Sequence, residues 1–232
     1  AGGSQPRGAP RPARSWEPPA TEATRLILVR HGETELTAQR RYSGRGDPPL
    51  SERGRSQALA AARAVAARMP DVAAVVSSPL SRCTGTAQPI AEALGGVPVV
   101  VDTDLIECDF GAWEGHTFAE VRERWPVELE KWLASPVVAP PGGESFRSVQ
   151  LRVRVAAARV REAYPGRTTV LVSHVTPIKL ILGDALAAGD ELLYRLYLEP
   201  AGLSIVDFWA DSGVAVRAVN ETGHLFSTAA RR

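Results

Sequence analysis

From residue 25 to about residue 220 the chain alternates short runs of aliphatic and β-branched residues with longer segments in which apolar positions recur every three or four residues. The short runs Arg25–Arg30, Val72–Ser77, Val97–Val101 and Thr168–Ser173 are nearly unbroken by polar residues, the pattern of strands covered on both faces. Between them, Ser51 precedes the Ala-, Leu- and Arg-rich run Glu52–Met69, which Pro70 closes: an N-cap, a good helix composition and a stop. Ser81–Leu94, Ser145–Tyr164 and Thr176–Ala188 read as helices in the same way. Strand-helix-strand order predicts an α/β fold of three layers, α/β/α, with a mainly parallel sheet.

Two late runs, Leu203–Trp209 and Val214–Val219, are separated by Asp211-Ser212-Gly213 with no helix between them, which predicts a hairpin adding an antiparallel edge. From Phe110 to Glu144 the pattern loosens into Trp113, Trp125 and Trp132 followed by a Pro- and Gly-rich stretch. A helical excursion covering one end of the sheet is expected there, its tryptophans packing against their own protein. Residues 1–24 hold Pro6, Pro10, Pro12, Pro18 and Pro19 with no apolar period and predict a linker or tail. One domain then spans 25–226, with 227–232 as a C-terminal tail.

Composition narrows the function. Lys and Arg total 27 against 26 Asp and Glu, a net charge of +1, so no whole-chain field exists to hold nucleic acid. No apolar stretch is long enough to span a bilayer, so no membrane partner is expected. Only Cys83 and Cys108 are present, which excludes a disulfide framework and favours a reducing, cytoplasmic setting. Cys83 reads as a core filler, and His116 and His224 as surface residues.

In an open parallel sheet, ligands bind beyond the carboxyl ends of the strands. Two strands here end in histidine, giving Arg30-His31-Gly32 and Ser173-His174, a third delivers Arg82 one turn later, and Glu107 follows a fourth. Two imidazoles, two guanidiniums and one carboxyl group suit a phosphate monoester. A neutral imidazole can attack phosphorus, planar guanidinium forks can take its equatorial oxygens, and a buried carboxyl group can protonate the leaving alkoxide. Two guanidiniums beside the histidines, with no His-x-His or His-x-x-x-His spacing, argue against a metal, so neither metal nor other cofactor is expected. Arg40, Arg41 and Arg45 flank Tyr42 in a loop expected over the pocket, a basic rim for an anionic substrate.

Six ordered blocks carry a resemblance: Leu28–Thr34 (LVRHGET), Gly44–Gly54 (GRGDPPLSERG), Ser77–Arg82 (SSPLSR), Leu105–Gly115 (LIECDFGAWEG), Gly142–Ser145 (GGES) and Val172–Pro177 (VSHVTP). Together they resemble the histidine phosphatase superfamily in its phosphoglycerate-mutase-like branch, over residues 25 to about 225. The resemblance implies that His31 is the phosphorylated nucleophile, that Arg30, Arg82 and His174 form the phosphate pocket, and that Glu107 is the proton donor. Thr37, Arg41, Ser43 and Gly44 are the further substrate-binding positions it implies, with Thr37 standing where many members carry Asn. Only 66 residues lie between Glu107 and His174, little room for the mutase insertion, so a phosphatase acting on a small phosphorylated metabolite is favoured over a mutase or a non-catalytic phospho-ligand binding module. Within that superfamily the chain resembles in particular α-ribazole phosphatase-like enzymes and the acid phosphatase module of bacterial fusions with an upstream ribonuclease H domain. The Pro-rich start and the absent initiating Met fit a module of such a fusion.

Overall fold

The computed structural model describes residues 21–69 and 71–226. Most of the expected N-terminal tail, all of the C-terminal one, and Pro70 therefore lie outside the described residues. In chain order the elements are β1 (Thr24–Arg30), α1 (Glu35–Ala38), α2 (Glu52–Arg68), β2 (Val72–Ser77), α3 (Ser81–Ala93), β3 (Val99–Val101), α4 (Phe118–Arg124), α5 (Pro126–Ala134) and α6 (Phe146–Ala163). There follow β4 (Thr168–Ser173), α7 (Val175–Ala185), α8 (Leu192–Arg195), β5 (Leu203–Phe208), β6 (Val214–Glu221) and α9 (Gly223–Phe226). Among the described residues the strands form one six-stranded sheet in the order β3-β2-β4-β1-β5-β6. The first four run parallel; β5 pairs antiparallel with β1, and β6 antiparallel with β5.

The period of two in β1 sorts the core. Leu26 and Leu28 face a cluster built with Val149, Val153 and Val160 of α6 and Ile178 and Leu182 of α7. Ile27 and Val29 face the opposite cluster, with Ala61, Ala62 and Val65 of α2 and Ala87 and Ile90 of α3. Each buried aliphatic side chain contributes roughly 1.5–3 kcal/mol, so strands apolar on both faces stabilise both helical layers at once. Ser51 caps α2 by accepting the Gly54 amide, and Ser145 caps α6 by accepting that of Ser148.

Several boundaries differ from the sequence pattern. β1 begins at Thr24, the last residue assigned to the tail. β3 begins at Val99 rather than Val97; Pro98, having no N–H, serves only as an acceptor for the Val75 amide. α7 stops at Ala185 because Leu186 caps it and Ala187 turns left-handed at φ 50°, with the Ala188 amide returning to the Gly183 carbonyl. The segment after Phe110 is helical as expected, forming α4 and α5. Trp113 and Trp132 are buried, packed edge-to-face at 5.4 Å, and belong to the same cluster as α6 and α7. His116 and His224, read as surface residues, are partly exposed, each with one ring nitrogen near a carbonyl: Nδ1 of His116 lies 3.1 Å from that of Glu114 and Nε2 of His224 lies 3.0 Å from that of Ala201.

Candidate active site

Parallel register brings the two histidines together. β1 and β4 pair with Arg30 opposite Ser173, so the next residue on each strand, His31 and His174, emerges at the same edge. Their rings stand 5.1 Å apart at 62°. β2 pairs with β4 up to Ser77 opposite Val172, which sets Ser78 beside His174, its Oγ 2.7 Å from Nε2. Cys83, on the first turn of α3, is buried as expected and its sulfur lies 3.3 Å from the same Nε2. It packs against a site histidine as well as filling the core.

Nδ1 of His31 lies 2.7 Å from the carbonyl oxygen of Gly32. A carbonyl only accepts, so Nδ1 carries the hydrogen and the lone pair of the neutral ring is at Nε2. Burial first, and then the positive charges of Arg30 and Arg82, hold this imidazole well below the ordinary histidine range. His174 is held low likewise, by burial and then by His31, Arg82 and Arg30. Both rings are therefore neutral at neutral pH.

Gly32 and Gly54 explain how the turn after His31 keeps its shape. A Cβ on Gly32 would stand 2.4 Å from the Gly54 carbonyl oxygen, and a Cβ on Gly54 would stand 2.0 Å from that of Glu33. The start of α2 thus packs backbone to backbone against residues 32 and 33, an approach only glycine permits. The Gly32 amide donates to Thr86 Oγ1 and the Glu33 amide to Gln57 Oε1, tying the turn to α3 and α2.

Arg82 is fully buried, with its guanidinium bound to three carbonyls of one loop: Nη1 to Gly46, and Nη2 to Gly44 and Ser43. Glu114 holds that loop from the other side by accepting the Gly44 and Gly46 amides. Gly44 accordingly has its amide on a carboxylate and its carbonyl on Arg82. Arg30 donates from Nη1 to the Leu198 carbonyl at 2.5 Å. Among the described residues, Arg30 Nε, Arg82 Nε and Ser43 Oγ are buried polar atoms without a partner. Buried donors are normally satisfied, so three of them around His31 mark a place where an anion's oxygens would fit.

Glu107 is buried, its Oε1 accepting the Cys108 amide at 2.8 Å and its Oε2 the Thr176 amide at 3.4 Å. Burial pushes its carboxyl above the usual carboxylate range, against the pull of those hydrogen bonds and of Arg82. The Thr176 amide at the start of α7 is thereby spent on Glu107.

A cleft of about 700 Å³ opens beyond β1 and β4, and Arg30, His31, Thr37, Arg41, Ser43 and Glu107 line it. Gly44, Arg82 and His174 lie behind this lining. Thr37 Oγ1 is 3.0 Å from Thr34 Oγ1, and Arg41 is engaged by Glu120 and the Gly115 carbonyl. Arg40, also on the lining, holds a left-handed φ of 55°. The walls include residues that the sequence pattern did not single out: Phe110, Thr176, Lys179, Tyr197 and Glu199. Lys179 donates to the Leu193 carbonyl at 2.6 Å, and burial lowers its ammonium below the ordinary lysine range. Only a signal from the α7 helical period, which sets Thr176 and Lys179 three residues apart on one face, could have flagged it.

Comparison with known proteins gives the family of the chain. A family model described as the histidine phosphatase superfamily, branch 1, matches residues 26–222. The bifunctional protein Rv2228c of Mycobacterium tuberculosis is 54% identical over 210 residues, 90% of this chain and 57% of that protein, so the chain spans little more than half the length of this relative. Phosphoserine phosphatase 1 of Hydrogenobacter thermophilus is 36% identical over 202 residues, 87% of this chain and 94% of that one. The crystal structure of the α-ribazole phosphatase from Shigella flexneri superposes with a TM-score of 0.76 at 25% identity, covering 85% of this chain and 96% of that one. With a family model over most of its length and these relatives beside it, the chain belongs to the histidine phosphatase superfamily, branch 1.

Proposed function

We propose that the chain is a phosphomonoesterase of the acid phosphatase type, hydrolysing a small organic phosphate ester through a phosphohistidine at His31 without a metal ion. The observation that carries this reading is the hydrogen bond from His31 Nδ1 to the Gly32 carbonyl, which leaves a lone pair on Nε2 amid the unpartnered donors of Arg30, Arg82 and Ser43. Nε2 attacks phosphorus; the N–P bond forms as the P–O ester bond breaks, and the protonated Glu107 carboxyl passes its proton to the leaving oxygen. Glu107, now a carboxylate, takes a proton from the water that releases phosphate from the ring. The guanidiniums spread the charge of a loose transition state, and His174 stands beside them as a further donor to the phosphoryl oxygens. The substrate is a phosphorylated metabolite that fits beside Tyr197, Phe110 and Lys179, of the small size that the names of the α-ribazole and phosphoserine phosphatases imply for those relatives.

Brief mixing with a radiolabelled monoester, followed by alkaline work-up, should leave acid-labile label on His31 and none on the His31→Ala protein. Free phosphate should appear with turnover, and chelators should leave the rate unchanged. An unlabelled ring in a protein that turns over would overturn the reading.

A further inference from the structure

Arg152 lies on α6, outside the cleft lining, yet all five of its N–H donors are spent. Nε and Nη2 grip the two oxygens of Glu144 at 2.9 and 3.0 Å. Nη1 donates to the carbonyls of Asp104 at 2.7 Å and Ile106 at 2.6 Å, and Nη2 to that of Glu107 at 3.0 Å. Three consecutive-segment carbonyls leading into the proton donor are thus fixed by one guanidinium. Glu144 completes the clamp on the far side of Glu107. Its Oε2 accepts the Asp109 amide at 3.4 Å, its own amide donates to the Asp109 carbonyl at 2.8 Å, and its carbonyl takes the Cys108 thiol. The same Oε2 also meets Arg45 at 3.1 Å, on the loop whose carbonyls hold Arg82. Arg152 and Glu144 are only 15% and 17% exposed at their side chains, so solvent competes weakly for these bonds.

We propose that Arg152 and Glu144 are positioning residues for Glu107: the ion pair clamps the 104–109 segment from both sides so that the carboxyl group of Glu107 meets the leaving oxygen of the ester. The proposal rests on Glu107 acting as the proton donor. Surface ion pairs contribute little, but this one spans three chain segments and sets the aim of a group whose misplacement by even a fraction of an ångström is costly. Lysine would keep the charge yet supply only three donors and no planar fork, so Arg152→Lys is the appropriate variant. Glu144→Gln tests the other half.

The readout is dependence on the leaving group. p-Nitrophenolate departs without a proton, whereas the alkoxide of glycerol 2-phosphate needs one, so a misaimed acid slows the second ester selectively. kcat/KM, which reports formation of the phosphoenzyme, is measured for both esters with the parent protein, Glu107→Gln, Arg152→Lys and Glu144→Gln. The ratio of the two values is independent of how much protein is folded. Glu107→Gln should lower the glycerol 2-phosphate value roughly 10²-fold or more relative to p-nitrophenyl phosphate, and each clamp variant about tenfold, partial losses of a general acid. The alkaline limb of the clamp variants should also shift to lower pH as the loosened carboxyl group gains water. If Glu107→Gln is selective but Arg152→Lys and Glu144→Gln slow both esters equally, the clamp is structural only and the proposal falls while the phosphatase reading stands. If Glu107→Gln shows no selectivity, Glu107 is not the proton donor, and the proposal falls with that assignment.

Discussion

The ring of His174 meets that of His31 at 62° with centroids 5.1 Å apart, and neither can take a proton without charging its neighbour's surroundings. Burial and the Arg30 and Arg82 charges hold both imidazoles well below the ordinary histidine range of about 6.5. In the unfolded chain they protonate near that ordinary value, in the folded one much lower. The folded state therefore loses stability as pH falls below about 6.5, because the unfolded state gains protons that the folded state refuses. Histidine NMR titration should show the His31 and His174 imidazoles titrating below the ordinary histidine range, and the acid limb of kcat/KM should lie below the ordinary histidine value. His31 and His174 titrating near about 6.5 would contradict the electrostatic account.

In the proposed mechanism Glu107 sets the opposite limb. Burial raises its carboxyl, so the proton that the leaving group needs is present below its folded pKa and lost as pH rises through it. The rate of phosphoenzyme formation from an alkyl ester should fall with pH from above the usual carboxylate range. The Glu107→Gln protein should lack that limb and lose about 10²- to 10⁴-fold in kcat/KM on the alkyl ester. Retention of the alkaline limb in that variant would assign it to another group.

The backbone contact between Gly32 and Gly54 carries a steric prediction. A methyl group at Gly54 would stand 2.0 Å from the Glu33 carbonyl oxygen, two residues beyond His31, and backbone must move to admit it. Gly54→Ala should cost about 1–3 kcal/mol, as overpacking does, and should depress turnover more than the loss of folded protein explains. Urea unfolding and active-site-normalised kinetics measure the two effects. Unchanged values for both would show that α2 is free to shift away.

Asp207 offers a stability test far from the chemistry. On β5 it is buried, and it accepts from Arg25 Nε at 2.6 Å, Arg25 Nη2 at 2.8 Å and Arg217 Nε at 2.8 Å. Burial pushes its carboxyl up, but the hydrogen bonds from Arg25 and Arg217 outweigh that and leave it below the usual range. The stability it contributes is present above about pH 3.8 and is lost as pH falls through the folded pKa. Asp207→Asn should cost about 1.5–3 kcal/mol at pH 7, the range for hydrogen bonds to a charged group, with the difference shrinking toward pH 2. Denaturant melts at the two pH values decide this.

The strands β1, β2 and β4 and the helices α2, α3, α6 and α7 were legible because each is written in a local signal: a β-branched run, an apolar face every three to four residues, or a serine cap. His31, His174, Arg82 and Glu107 were legible for a related reason, since each directly follows an apolar run or turn whose direction fixes where the next side chain emerges. Local order also predicted that the two histidines end parallel strands. Only the register, Arg30 opposite Ser173, decided that they touch. Tyr197 and Glu199 reach the cleft because the chain after α8 returns to bond Arg30, and the Gly32–Gly54 approach exists because α2 packs across the turn. Arg152 looked like one more charge on an amphipathic helix until the 104–107 segment, some 45 residues earlier, supplied acceptors for its fork. The one-dimensional pattern determines which face of an element is buried and which residue follows its end. Which distant carbonyl or carboxylate meets that residue is decided by the packing of layers, where burial removes water as an alternative partner and leaves only the neighbours that the fold provides.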